Sequence, residues 1–315
     1  MKVATHSMDM SGLMRWLARD RRPDAVLIAG PTASGKSALA LQIAEMLDGE
    51  IVNADSLQVY RDLAILSARP ADADMAGVPH HLFGHADGAA DYSVGHWLKD
   101  AGASIDAVRR RGRVPVIAGG TGLYFSALTD GLSDMPSVEP AIRSGWRTRL
   151  AAEGAAALHR HLQEVDPAAA SVLVPSDGQR IVRALEILEQ TGRSITLWQG
   201  AGQAGPIADR ELAKIVLTCV RDRLRERIGA RFDAMMAAGA LDEVERLAAR
   251  DLDPSRPVMK AIGVPQLRAY LDGRLTLDAA VERAKVLSGQ YAKRQDTWFR
   301  NQMDESWERV DITPH

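Results

Sequence analysis

Residues Gly30-Pro31-Thr32-Ala33-Ser34-Gly35-Lys36-Ser37 match the pattern G-x-x-x-x-G-K-[ST] in full. The pattern has meaning only between a strand and a helix, and the flanks supply both. Residues 25–30 are a short apolar run, and residues 37–47 carry a helical pattern. In such a loop the glycines let the backbone curl until its N–H groups, backed by the helix N-terminus, point at phosphate oxygens. Lys36 adds a point charge, and the Ser37 hydroxyl is the expected Mg²⁺ ligand. The motif reads a polyphosphate without saying which molecule carries it.

The rest of the first third continues the alternation. Apolar runs at 50–55 and 114–120 flank a helical stretch at 94–111, and another run at 214–220 returns later. Near-continuous apolar strands separated by helices predict an α/β fold: a P-loop NTPase-like parallel sheet covered by helices on both faces. Between 134 and 205 the strand signal vanishes into Ala/Leu/Glu/Arg-rich segments broken at Pro136, Pro167, Pro175 and Gly192, which predicts an all-helical insertion. A chain of 315 residues accommodates this, because single cores rarely exceed about 250–300 residues. The expected organisation is an extension over 1–24, a core over 25–133 and 206–315, and an insertion over 134–205. One insertion helix is expected to start in a capping box of Ser176 and Gln179 and to stop at Thr191-Gly192.

Composition removes several classes. No apolar run approaches the roughly 18 residues of a membrane span, and residues 1–24 lack a secretory apolar core. The single cysteine, Cys219, precludes an intramolecular disulfide, fits a reducing cytoplasm, and reads as a small buried hydrophobe in the run 215–220. A net charge of −2 argues against a uniformly basic surface; still, only seven of the 39 basic residues are lysine, and arginine suits phosphate and base contacts.

A P-loop ATPase holds Mg²⁺ with an acidic residue ending a second apolar strand. Here the run 114–118 leads into Gly119-Gly120-Thr121-Gly122 with no carboxylate, whereas the run 50–54 leads into Asp55-Ser56. Asp55 is therefore a candidate metal ligand or catalytic base, and spacing alone leaves both open. His80-His81 suggests a metal pair, but adjacent side chains diverge and no cysteine is near. Lys293-Arg294 beside Trp298-Phe299 reads either as a basic aromatic RNA patch or as a core face.

Several segments together resemble the bacterial-type tRNA dimethylallyltransferase (tRNA isopentenyltransferase) family. They are the loop above, Asn53-Ala-Asp55-Ser56-Leu57-Gln58-Val-Tyr60-Arg61, Gly77-Val-Pro-His80-His81-Leu, Tyr92-Ser-Val and Gly119-Gly-Thr121-Gly-Leu-Tyr124. Further on come Asp177-Gly-Gln179-Arg180-Ile181-Val182-Arg183-Ala-Leu-Glu186, Ala261-Ile-Gly263 and Tyr291-Ala-Lys-Arg-Gln295-Asp-Thr-Trp298. Leu66-Ser67-Ala68-Arg69-Pro70 departs from the family's usual Gly-Thr-Ala-Lys-Pro, and Val264 stands where an aromatic is common. Residues 1–24 exceed the family's usual leader, suggesting an extra helix or an upstream start codon. The end at His315, without a zinc finger, fits the bacterial type.

The resemblance implies transfer of a dimethylallyl group from dimethylallyl diphosphate to N6 of the adenine just 3′ of the anticodon. The P-loop would then hold the leaving diphosphate and not a nucleotide. It implies Asp55, Thr121 and Arg221 as catalytic residues, with Asp55 as general base and Arg221 on the departing charge beside Lys36, Thr32 and Mg²⁺ at Ser37. Asp55, Ser56, Leu57, Gln58, Thr121, Arg143, Gln179, Arg180, Ile181, Val182 and Arg183 would contact the tRNA anticodon stem-loop, with the insertion closing over the stem. A cytoplasmic monomer is implied. The alternatives are a small-molecule kinase, an isopentenyltransferase acting on free AMP or ATP, and an RNA-binding protein that retains a relic loop.

Overall fold

The computed structural model describes residues 7–8, 10–17, 22–198 and 204–312. Parts of the expected extension, residues 1–6, 9 and 18–21, lie outside these. The chain begins with β1 (Ser7–Met8), α1 (Met10–Leu17), β2 (Ala25–Ala29), α2 (Lys36–Met46), β3 (Gly49–Asn53), β4 (His80–His81), α3 (Val94–Arg110), β5 (Val114–Gly119) and α4 (Gly122–Thr129). The helices α5 (Pro140–Glu153), α6 (Ala155–Val165), α7 (Pro167–Val172) and α8 (Gly178–Thr191) follow. The remainder is β6 (Leu212–Thr218), α9 (Arg221–Ala237), α10 (Ala240–Ala248), α11 (Val264–Leu271), α12 (Leu277–Gln302) and β7 (Glu308–Asp311). Two compact units result: Met1–Leu128 with Asp209–His315, and Thr129–Ala208.

The first unit is built on a seven-stranded sheet in the order β1-β7-β6-β2-β5-β3-β4, with every described pairing parallel. Strands β2, β3 and β5 are buried along their whole length, as near-continuous apolar runs in a sheet covered on both faces require. Val26 and Ile28 of β2 and Val114, Val116 and Ala118 of β5 share a core with Leu39 and Ile43 of α2 and Leu13 of α1. Helix α3 packs against β3 and β5, with Trp97, Ile105 and Val108 fully buried or nearly so. The four long strands coincide with the apolar runs. The short strands β1, β4 and β7 were not expected, since each is two to four residues long and carries no apolar run.

One buried charge anchors the β3–β4 side. Glu50 is 1% exposed, yet its carboxylate accepts from Arg111 Nε (2.9 Å) and Nη2 (2.5 Å) and from His81 Nε2 (2.6 Å). The Arg111 guanidinium, helped by His81 and opposed by burial, pulls the Glu50 carboxyl down to about 2. His81 is thus engaged by Glu50, while His80 turns to the Val78 carbonyl (2.8 Å), so the two imidazoles diverge.

The second unit is helical, with Trp146, Leu158, Leu162, Ile181, Leu185 and Ile187 in its core. Helix α8 begins differently from the capping box expected of Ser176: Asp177 is the N-cap, and its carboxylate accepts from Arg180 N at 3.2 Å. The stop lies at Gly192, whose φ of 66° is a left-handed position that suits glycine.

The Glu50 network has a measurable consequence. Because its carboxyl is held below its unfolded value, the stabilisation is full above about pH 4.5 and is lost as pH falls toward about 2. Glu50→Gln is expected to lower unfolding free energy by about 3 kcal/mol, the low end for breaking a buried pair because half-exposed Arg111 regains water. Denaturant titration at pH 7 and pH 3 should show the wild-type advantage shrinking in acid.

Candidate functional site

The carboxyl ends of β2, β3 and β5 converge, and the P-loop leaves the first of them. Gly35 precedes α2 with φ 86° and Ala33 has φ 62°, so the chain curls back over its own helix start. Thr32, Ala33, Gly35, Lys36 and Ser37 line a cavity of ≈150 Å³ together with Asp55 and Gln58, which follow β3. Gly30, Pro31 and Ser34 do not line it; the Ser34 hydroxyl is buried without a hydrogen-bond partner among the described residues.

Three ties hold the strand ends in register. Gln295 of α12, 6% exposed, accepts from Thr32 N at 2.9 Å and donates Nε2–H to the Gly120 carbonyl at 2.8 Å. Thr121 N donates to the Ala54 carbonyl (3.1 Å), and its hydroxyl oxygen accepts from Ser56 N (2.9 Å). Asn53 accepts from Asp55 N (2.9 Å) and donates to the carbonyls of Asp55 and Leu82 (both 3.0 Å). Strand β5 can lie this close only because residue 119 is glycine, since a Cβ there would collide with the Ala54 carbonyl.

Charge concentrates in the cavity. Lys36 donates to the Pro31 carbonyl at 2.7 Å, and burial, opposed by Asp55 and reinforced by Arg231, lowers its ammonium to about 8. Arg231 of α9 lines the same cavity and approaches the Thr32 hydroxyl at 3.4 Å; burial pulls its guanidinium down, with Asp55 opposing. Asp55 Oδ1 accepts from Leu57 N at 2.9 Å, which orients the carboxylate through its own turn. Burial raises the Tyr124 and Tyr291 phenols, with smaller contributions from Tyr60 and Asp55 at Tyr124 and from Asp55 at Tyr291. The Ser37 hydroxyl and the Asp55 carboxylate are hard oxygen donors of the kind Mg²⁺ takes alongside phosphate oxygens and water.

Not all the expected residues gather here. Arg221, at the first turn of α9, is exposed and lines a second cavity of ≈640 Å³ with Lys293 and Cys219. Arg231, which the sequence reading passed over, occupies the position by the loop. Both arginines flank the stripe Leu224, Ile228 and Phe232 that α9 buries, but ten residues of helix separate them by about 15 Å. The resemblance points to this arginine-rich helix, and packing decides which of its arginines reaches the loop. Cys219 is only partly buried, packed on Leu224, Ile228 and Ala292. On α12 the candidate patch divides. Phe299 is core, Trp298 fills the space left open by Gly122, Lys293 lines the second cavity and Arg294 lies over the Tyr291 ring.

Within the helical unit, Gln179 and Arg180 are exposed on α8, and Arg183 is half-buried against Glu186 at 3.3 Å. Arg143 is half-buried on α5. Ile181 and Val182, expected at an RNA surface, are 0% and 5% exposed in the core of this unit. Their place in the sequence motif reflects packing: α8 must bury one face, and these two residues lie on it.

The chain is similar to known proteins in both sequence and fold. The sequence model of the family described as IPP transferase matches residues 58–302, and that described as isopentenyl transferase matches residues 23–82. The tRNA dimethylallyltransferase of Rhizobium johnstonii is 53% identical over 289 residues, covering 92% of this chain and 97% of that protein. That of Agrobacterium fabrum is 52% identical over 293 residues, covering 92% and 98%. Among solved structures, the tRNA isopentenylpyrophosphate transferase of Bacillus halodurans is 36% identical with a TM-score of 0.66, covering 92% of this chain and 90% of that one. A eukaryotic dimethylallyltransferase acting on tRNA has a TM-score of 0.76 at 27% identity, covering 92% and 74%. With a phosphate loop, a strand-end carboxylate and two cations in one cavity, and with these likenesses along nearly its whole length, the chain belongs to the tRNA dimethylallyltransferase family.

Proposed function

We propose that this enzyme transfers a dimethylallyl group from dimethylallyl diphosphate to N6 of adenine 37, just 3′ of the anticodon, giving N6-(dimethylallyl)adenosine and diphosphate. The observation that carries this reading is the placement of Asp55 in the same cavity as Lys36 and Arg231. A base and a polyanion cradle thus face one small space. In an ATPase the loop's anion would be attacked by water, whereas here it is the part of the donor that departs.

The N6 lone pair is delocalised into the adenine ring, so the amine attacks only if it loses a proton as the new bond forms. Asp55, held by Leu57 N and by the Asn53 turn, accepts that proton while N6 bonds the allylic carbon and the carbon–oxygen bond to diphosphate breaks. Negative charge develops on the departing diphosphate, met by the loop amides, Lys36 and Arg231. Ser37 would hold a Mg²⁺ that neutralises further diphosphate charge when bound. Gln295 keeps the loop in place by occupying Thr32 N and Gly120 O. Thr121 ties the Asp55–Ser56 turn to β5 from the other side.

An adenine stacked in an anticodon loop must be extruded to reach such a cavity, at a cost of a few kcal/mol. Ser56, Leu57 and Gln58 beside the base, and Arg143, Gln179, Arg180 and Arg183 of the helical unit, are the proposed grip on the anticodon stem-loop; arginine suits splayed bases and phosphates. No helix among the described residues is long and apolar enough to cross a membrane, and we place the enzyme in the cytoplasm as a monomer.

The direct test is incubation with dimethylallyl diphosphate and tRNA, with mass spectrometry of the digested nucleosides; unmodified adenosine alone would remove the reading. Asp55→Asn keeps an acceptor for Leu57 N and is expected to bind tRNA normally while transfer falls about 10²- to 10⁴-fold in single-turnover assays. Because Lys36 loses its charge as pH rises through about 8, KM for dimethylallyl diphosphate should climb above that pH. Gln295→Leu strands a buried N–H and a buried carbonyl, and should lower unfolding free energy by about 1–3 kcal/mol while raising the same KM.

A further inference from the structure

Glu243 lies on α10 and is 4% exposed. No cation pairs with it among the described residues. Its carboxylate is instead spent on three consecutive backbone N–H groups: Ala64 (2.7 Å) and Ile65 (2.8 Å) on Oε1, and Leu66 (2.8 Å) on Oε2. Charge-assisted bonds of this kind are among the strongest a buried carboxylate can make, so the position of this segment is dictated by α10.

The clamped residues open a tight turn. Ser67 donates its hydroxyl to the Leu63 carbonyl (2.7 Å), Ala68 sits at φ 50°, and Arg69 N returns to the Ala64 carbonyl (2.9 Å). The turn presents the carbonyls of Ser67 and Ala68 side by side, and Gln58 Nε2 donates to both, each at 3.0 Å. Two carbonyls can be faced only by the amide NH₂, so the orientation of the amide is forced and both its hydrogens are used. Gln58 lines the phosphate-loop cavity with Asp55, and the polar atom it has left to offer a ligand is the acceptor Oε1.

We infer that Glu243 is a positioning residue for base recognition. By clamping residues 64–66 it fixes the two carbonyls that hold Gln58, so the cavity offers an acceptor and selects a base that donates at that point. Adenine does so through its exocyclic amine, and a purine without that amine does not. The inference rests on the base-modifying function proposed above.

The test compares two anticodon stem-loops that are identical except for adenine or unsubstituted purine at the target position, with dissociation constants measured by fluorescence anisotropy. The wild type should prefer adenine, and about tenfold of that preference should come from Gln58, the scale of one hydrogen bond of 1.4 kcal/mol. Gln58→Met, of similar volume but with no acceptor oxygen, should lower the preference by about that factor, leaving the part that Asp55 contributes. Glu243→Gln sets an amide donor against Leu66 N–H and should reduce the preference to the same level, leave KM for dimethylallyl diphosphate unchanged, and add nothing to Gln58→Met in the double variant. Glu243→Asp, still charged but one methylene shorter, should shift the ratio in the same direction by less, and it decides the matter if the Gln variant does not fold. A merely structural role would lower the melting temperature and the active fraction while leaving the adenine-to-purine ratio at its wild-type value. That result in a folded Glu243 variant, or a wild-type ratio in Gln58→Met, overturns the proposal. A wild-type protein that prenylates no stem-loop would instead refute the function on which the proposal rests.

Discussion

Two cations and one carboxylate share a small cavity, and much of the first unit is arranged around that imbalance. Burial lowers both Lys36 and Arg231, so each is costly to keep charged until an anion arrives, and Asp55 offsets only part of the cost. A site of this kind is completed by its ligand. Parallel strands deliver the loop and Asp55 from the carboxyl ends of β2 and β3, which flank β5, while α9 brings Arg231 and α12 brings Gln295 from residues distant in the chain.

The legible part of this design is the part written in local periodicity. The strands β2, β3, β5 and β6 coincide with apolar runs because both their faces are covered. The phosphate loop is a contiguous motif, and Asp55 stands at a strand end, so both could be found from order alone. The short strands were illegible because nothing in two residues such as His80-His81 distinguishes a sheet edge from a loop; the pairing with β3 comes from tertiary placement.

The errors share a cause. Arg221 and Arg231 lie on one arginine-rich helix, and only packing tells which of them reaches the cavity. Ile181 and Val182 belong to a motif shared with the family, yet a shared motif on an amphipathic helix mixes residues kept for the core with residues kept for a ligand. Gln295 and Glu243 were invisible as functional candidates for a different reason. Each acts on backbone groups far away in sequence, and backbone hydrogen-bond demand leaves no trace in residue identity.

The crowding at Gly119 bears on what this scaffold could become. In nucleotide hydrolases the strand beside the phosphate loop ends in an acidic residue that helps hold the metal. Here that end is packed against the Ala54 carbonyl so closely that no side chain fits at position 119, and the amide of Gln295 occupies the space beside Gly120. A single substitution therefore cannot place a carboxylate at position 119 without displacing the Ala54 backbone, and one at position 120 would have to push the Gln295 amide from its hydrogen bonds to Thr32 and Gly120. The strand end that carries the metal-holding acid in hydrolases is here given over to packing.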